Sequence, residues 1–123
     1  MSAPFKADHV GSLLRPDRIH QARKDFEAGN ISKDELFKIE TEEIEEVVDK
    51  QIEVGLKAVT DGEFRRRFWH TDFMEHVGGF EGYIPEEGYS FNGMKTEAYN
   101  IRNIGKISFA KNHPHVKEFI LFK

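Results

Sequence analysis

The residues best suited to chemistry are Asp61-Gly62-Glu63-Phe64-Arg65-Arg66, which follow directly on the apolar run Leu56-Lys57-Ala58-Val59-Thr60. A short β-branched run closed by Asp-Gly predicts a strand that stops in a tight turn. The turn sets the Glu63 carboxylate beside three consecutive arginines, Arg65, Arg66 and Arg67. Near the start, Phe5-Lys6-Ala7-Asp8-His9-Val10 runs in the same way into Gly11-Ser12 and then Leu13-Leu14-Arg15-Pro16. In sheet enzymes the C-terminal ends of strands are where side chains meet ligands. Two such ends, each with a glycine beside a polar group, amount to half of a binding site. Glu63 has a plainer reading as a helix N-terminal acid or a partner for the arginines, and Ser12 as an ordinary turn hydroxyl.

The elements that must position these groups can be read from periodicity. Strand one is expected at 4–10. Pro16 and Asp17 open a helix through Ile19, Ala22, Arg23 and Phe26, which Gly29-Asn30 stops. Ser32-Lys33-Asp34-Glu35 has the form of a capping box. The helix after it, 33–54, carries Phe37, Ile44, Val48 and Ile52, joined by Leu36, Val47 and Val54, at helical spacing, and Gly55 ends it. The acidic run 40–46 reads as the solvated face of that helix. Strand two is expected at 56–61 and a further helix at about 68–77, ended by Gly78-Gly79. From 80 to 111 the chain turns rich in Gly, Tyr, Phe and Asn and predicts a β-hairpin or flap. Its strand candidates are Tyr89-Ser90-Phe91 and the stretch 101–109. His113-Pro114 starts a last helix through Val116, Phe119, Ile120 and Phe122. This gives one α/β domain in three parts: two βα units in 1–79, the hairpin insertion 80–111, and a terminal helix 112–123. Alternating strands and helices imply parallel pairing. A closed eight-stranded barrel needs about 250 residues, so the chain is either a smaller fold or the opening portion of a barrel.

Composition narrows the partners. The 123 residues carry a formal net charge of -4, which argues against nucleic acid or an anionic membrane as partner. There is no cysteine, hence no disulfide and no thiolate metal site within the chain. His70 and His76 stand six apart and His113 and His115 flank a proline, spacings that do not suit a metal on one helix face. With no apolar signal core or membrane-length segment, a cytoplasmic location is expected. Eleven Phe, three Tyr and one Trp suggest deep apolar packing.

Asp8-His9-Val10-Gly11-Ser12-Leu13-Leu14-Arg15-Pro16 and Thr60-Asp61-Gly62-Glu63-Phe64-Arg65-Arg66 together resemble the cobalamin-independent methionine synthase family. The resemblance is to its single-barrel members of 5-methyltetrahydropteroyltriglutamate–homocysteine methyltransferase type. It continues through Trp69-His70-Thr71-Asp72-Phe73, Gly79-Phe80 and Ile104-Gly105-Lys106-Ile107, spanning nearly the whole chain but about the first third of a family member. It implies a (β/α)8 TIM barrel, of which this chain is the incomplete opening portion. It also implies methyl transfer from a methyltetrahydrofolate donor to the thiol of homocysteine, held on zinc. By position, Gly11 and Ser12 then hold the amino-acid carboxylate and Glu63 pairs with its ammonium, with His9 near the pocket mouth or capping strand one. The family's zinc ligands are His, Cys and Glu on later strands, so the resemblance implies no metal or catalytic residue here and no activity for the chain alone. Arg15 is expected to brace a loop rather than meet a substrate carboxylate. Arg65, Arg66 and Arg67 are expected to clamp acids rather than draw in a folate tail, and Trp69 to pack rather than stack on a pterin. Two other readings stay open: a related zinc-dependent thiol alkyltransferase with another donor, and a non-catalytic fragment. An open set of strands with fifteen aromatics is expected to self-associate.

Overall fold

A computed structural model describes residues 7–68, 71–86, 90–95 and 98–123. The chain divides into two compact units, Met1–Arg66 and Arg67–Lys123, each built around its own contacts.

The first unit is two helices with the loops that pack on them. Helix α1 spans Asp17–Glu27, with Pro16 at its N-cap and Gly29 turning the chain out at φ +77°. Helix α2 spans Lys33–Glu53 and opens on the full capping box. The Glu35 amide donates to Ser32 Oγ at 3.2 Å, and the Ser32 amide donates to Glu35 Oε2 at 2.7 Å. These bonds hold the Glu35 carboxyl below the usual carboxylate range. Gly55, at φ +92°, ends the helix. Ile19 of α1, Ile44 of α2 and Phe64 form the buried core, with Leu13, Val47 and Val48 packed against it.

The apolar stripe of α2 is covered only in part. Eleven residues of α1 make about 16 Å of helix and twenty-one of α2 about 31 Å, so Ile52 and Val54 beyond the overlap stay exposed. Nor is the acidic run a uniform solvated face. Glu45 and Glu46 are exposed, whereas Glu40 and Glu43 are buried against arginines. Arg18 of α1 reaches both Glu42 and Glu43, its Nη1 lying 3.0 Å from Glu43 Oε1.

Neither expected strand of this unit carries a ladder among the described residues: 7–10 and 56–61 are irregular, and 4–6 lie outside those residues. A strand exists only where a neighbour takes its N–H and C=O groups. At Thr60 a side chain does that work. Gln51 Oε1 accepts from the Thr60 amide at 3.0 Å, and Gln51 Nε2 donates to the Thr60 carbonyl at 2.8 Å.

The second unit is a β-arm between two helices. Helix α3, Thr71–Glu75, is shorter than the expected 68–77, because Val77 already pairs as the first residue of strand β1, Val77–Tyr83. β1 runs antiparallel to β4, Asn100–Phe109. Between them the short strands β2, Ser90–Phe91, and β3, Met94–Lys95, pair across Asn92-Gly93, both at positive φ. The expected hairpin is therefore present, with a longer arm than the sequence suggested. Tyr89 and Trp69 lie outside the described residues.

Gly78-Gly79 does not stop a helix; it sits inside β1 where the register jumps. Gly78 pairs with Ser108 and Phe80 with Asn103, so 104–107 bulge from β4. Gly79 stands at φ +91° with the Lys106 carbonyl oxygen 2.6 Å from where a Cβ would lie, which only glycine accommodates. Asn103 Nδ2 donates to the Gly79 and Gly105 carbonyls and pins the bulge. Helix α4, Pro114–Phe122, follows as expected. Both ladders are antiparallel, so the described residues form a mixed helix and strand structure with an open sheet. Among them no helix is long and apolar enough to cross a membrane.

Candidate binding site at the two motif loops

The two motifs, fifty residues apart in sequence, meet in the first unit. The Leu13 amide donates to the Gly62 carbonyl at 3.0 Å, and Ser12 Oγ lies 3.4 Å from the same oxygen and 2.9 Å from the Leu13 carbonyl. Gly11 turns the first loop at φ +94°, and His9 Nε2 lies 3.0 Å from the Gly11 carbonyl, inside its own loop. Gly11, Ser12 and His9 therefore share one loop that is stitched to the residue preceding Glu63.

The second loop is wound tightly. Gly62 and Glu63 stand at φ +66° and +58°, left-handed at two successive residues, and the Phe64 amide faces the Asp61 carbonyl at 3.4 Å. That is the pattern of a type I′ turn, which at Glu63 costs a non-glycine residue roughly 1 kcal/mol. Side chains on either side hold it. Asp61 Oδ1 accepts from the Glu63 amide at 3.0 Å and Thr60 Oγ1 from the Gly62 amide at 3.1 Å. Phe64, 1% exposed, anchors the turn in the core. A Cβ on Gly62 would lie 2.9 Å from the Phe64 ring, so the position needs glycine for both conformation and space.

Arginines secure the loop from below. Arg15 Nη2 donates to the Glu63 and Arg66 carbonyls, each at 2.8 Å. Arg15 thus braces the loop on main-chain oxygens. Arg23 of α1 donates to the Phe64 carbonyl and reaches the Arg66 carbonyl at 3.4 Å. Arg65 is almost wholly buried: its Nη1 contacts Glu40 Oε2 at 3.3 Å and the Phe37 carbonyl at 3.2 Å, and its Nη2 donates to Thr41 Oγ1 at 2.7 Å. The guanidinium lies over the Phe37 ring, 4.0 Å from the centroid. Arg66 Nη1 pairs with Glu63 Oε1 at 3.5 Å, a half-exposed contact of small energetic weight.

Glu40, Gln51 and Arg23 are the residues that function-directed reading of the sequence passes over. Their signal is nonetheless present. Phe37, Glu40, Ile44, Val47 and Gln51 recur at three and four residues, so two polar groups lie on the apolar stripe of α2. A polar residue on a core stripe needs a buried partner.

The described residues hold no donor set for zinc. Among the described residues no three His, Asp or Glu side chains converge in a way that could hold a metal ion. In the second unit His113 is committed at both nitrogens: Nδ1 accepts from the His115 amide at 3.2 Å and Nε2 faces the Phe73 carbonyl at 3.0 Å. It is the N-cap of α4 rather than a ligand.

The catalytic-domain family of cobalamin-independent synthases matches residues 5–92, a span that contains both motif loops. The uncharacterized protein YxjH of Bacillus subtilis is 48% identical over 117 residues, covering 95% of this chain and 31% of its own length. A 5-methyltetrahydropteroyltriglutamate–homocysteine methyltransferase of Buchnera aphidicola is 34% identical over 71 residues, 58% of this chain and 9% of that one. Among solved structures, a Listeria monocytogenes chain described as a candidate vitamin-B12 independent methionine synthase superposes with a TM-score of 0.78 at 46% identity, covering 100% of this chain and 33% of that chain. The chain thus spans about a third of the length of the two Bacillus subtilis relatives and the Listeria chain that it matches. It belongs to the cobalamin-independent methionine synthase family, within the catalytic domain.

Proposed function

We propose that this chain supplies the amino-acid-binding half of a homocysteine methyltransferase site, as the opening portion of a (β/α)8 barrel, with a methylated tetrahydrofolate as donor. The observation that carries the reading is the junction of the two loops at the Gly62 carbonyl, which joins Ser12 to the residue directly before Glu63. A zwitterion needs a hydrogen-bond donor for its carboxylate and a negatively charged acceptor for its ammonium, and Ser12 and Glu63 are one of each. The Glu63 carboxylate takes the ammonium, displacing the weak contact with Arg66. Ser12 Oγ turns from its carbonyl contacts toward the substrate carboxylate, beside the backbone of Gly11, with His9 holding the loop from within. Leu13 donates its amide to Gly62 and is thereby reserved for the junction. The described residues do not furnish a zinc donor set, so thiol activation draws on groups outside them, and the role of these residues is to bind and orient.

The test is a chimera in which this sequence replaces the matching third of the Listeria chain. Glu63→Gln removes one charge-assisted contact, worth about 1.5–3 kcal/mol, so the dissociation constant for homocysteine should rise about tenfold to a hundredfold in calorimetry. Binding of methyltetrahydrofolate should barely change. An unchanged homocysteine affinity with a weakened donor would reverse the assignment of Glu63.

We further propose that the chain by itself pairs with a second copy. The support is the apolar surface of the second unit, where Phe119 and Ile120 of α4 and Ile104, Ile107 and Phe109 of β4 are each at least 60% exposed. Sedimentation velocity over a range of concentrations should show a dimer or larger species; a compact monomer throughout would refute this.

A further inference from the structure

We propose that Glu40 is the positioning residue for Glu63, its carboxylate gripping Arg23 and Arg65 so that the backbone of 64–66, which leaves the left-handed turn at Gly62-Glu63, is held in place. The role for Glu63 rests on the reading just given; the grip on the loop does not. Each carboxylate oxygen takes a different arginine, Oε1 facing Arg23 Nη2 at 3.4 Å and Oε2 facing Arg65 Nη1 at 3.3 Å. Arg23 comes from α1, Glu40 from α2 and Arg65 from the loop itself, so one buried acid ties three segments. The two arginines also donate to main-chain and hydroxyl oxygens. Arg23 holds the carbonyls of Phe64 and Arg66, and Arg65 fastens its own side chain to Phe37 and Thr41 on α2. A guanidinium serves an anion and a carbonyl together through donors held in a rigid planar fork, whereas an ammonium offers its three donors from a flexible stem and fixes the geometry less.

Two features separate this from a generic ion pair. First, burial outweighs both arginines and leaves the Glu40 carboxyl above the usual carboxylate range, so a charge here is a poor source of stability. Second, the restrained segment adjoins the strained residue: Glu63 is a non-glycine residue at φ +58°, and the Glu63 and Arg66 carbonyls are also taken by Arg15. An orienting loop is useful in binding only if its geometry is fixed before the ligand arrives.

The experiment compares Glu40→Gln, Glu40→Asp and the unchanged chain by residue-resolved amide exchange. The Phe64 and Arg66 amides, bonded within the turn, report the loop, and the amides of 44–51 report α2. Glu40→Gln should speed exchange at Phe64 and Arg66 about tenfold while 44–51 change less than about threefold, with Glu40→Asp in between. In the chimera, Glu40→Gln should also weaken homocysteine about tenfold without altering donor binding. Unchanged loop exchange overturns the proposal, as does equal acceleration throughout α2, which would make Glu40 a general stabilising group. Should Glu40→Gln fail to fold, Arg23→Lys, at the partly exposed edge of the cluster, must show the same loop-selective acceleration. If Glu63→Gln leaves homocysteine binding intact, the substrate reading fails, and the exchange data still decide whether Glu40 holds the loop.

Discussion

Replacing Phe64 with alanine is expected to unfold the first unit. The side chain is 1% exposed and is one of three residues in the buried core, with Ile19 and Ile44. Truncating a buried phenylalanine removes about 3–5 kcal/mol, the transfer term plus the cavity it leaves. A two-helix unit with so small a core has little reserve against such a loss. The same ring also fills the space that requires glycine at Gly62, so the turn carrying Glu63 loses its floor together with the core. Circular dichroism should show a large loss of helix in Phe64→Ala, and amides throughout α1 and α2 should lose their slow exchange. Phe64→Leu, which keeps most of the apolar volume, should cost about 1–1.5 kcal/mol and leave the helices formed. A Phe64→Ala chain that melts within a few degrees of the original would mean that the helices are held by something other than this core.

The helices of this chain are written locally, and that is why they can be read. Ser32 and Glu35 satisfy each other's amides across one turn, and Gly29 and Gly55 stand in the left-handed conformation that ends each helix. None of those features needs a distant partner. The strand expectations at 4–10 and 56–61 did need one. β-Branched residues before Asp61-Gly62 state a preference for extended backbone, but a ladder depends on neighbours. In the described residues Thr60 finds the Gln51 amide instead of another strand. Gly78-Gly79 misleads for a related reason: paired glycines commonly end helices, yet here the pair admits the close approach of Lys106 across a bulge.

The candidate site was legible as two motifs and not as an arrangement. Nothing in the spacing of Ser12 and Gly62 says that they meet, since a separation of fifty positions leaves the contact to tertiary packing; the family resemblance supplied the link. Arg15 and Arg23 were readable as cations, but their acceptors are carbonyl oxygens, which every residue offers and which sequence cannot rank. Glu40 is the instructive case. Its neighbours in the acidic run point to a solvated face, whereas its spacing from Phe37 and Ile44 points to the core stripe. Periodicity, counted residue by residue, was the better guide than charge density.

The second unit has a matching point of failure at His113. The imidazole is 1% exposed and lies among rings: Phe109 stacked at 5.4 Å with planes 3° apart, Phe73 at 4.7 Å, and His115 and His76 at the edges. Nδ1 accepts the His115 amide, so the proton belongs on Nε2, which donates to the Phe73 carbonyl. One side chain thereby caps α4, closes the last turn of α3 and backs onto the end of β4. His113→Ala removes both bonds and opens a ring-sized cavity, and is expected to cost about 3–5 kcal/mol. His113→Phe separates the two contributions. It restores the ring but takes the Nδ1 acceptor from the His115 amide, at about 1–3 kcal/mol, while the Phe73 carbonyl keeps the His76 amide at 3.3 Å. Denaturant unfolding followed by Tyr and Phe side-chain resonances of this unit should therefore rank the original chain above His113→Phe and His113→Phe above His113→Ala. If His113→Phe matches the original, ring packing alone holds α4 in place and the hydrogen bonds are incidental. If it falls as low as His113→Ala, the cap is what holds the α3 and α4 ends together, and the surrounding aromatic rings serve mainly to exclude water from it.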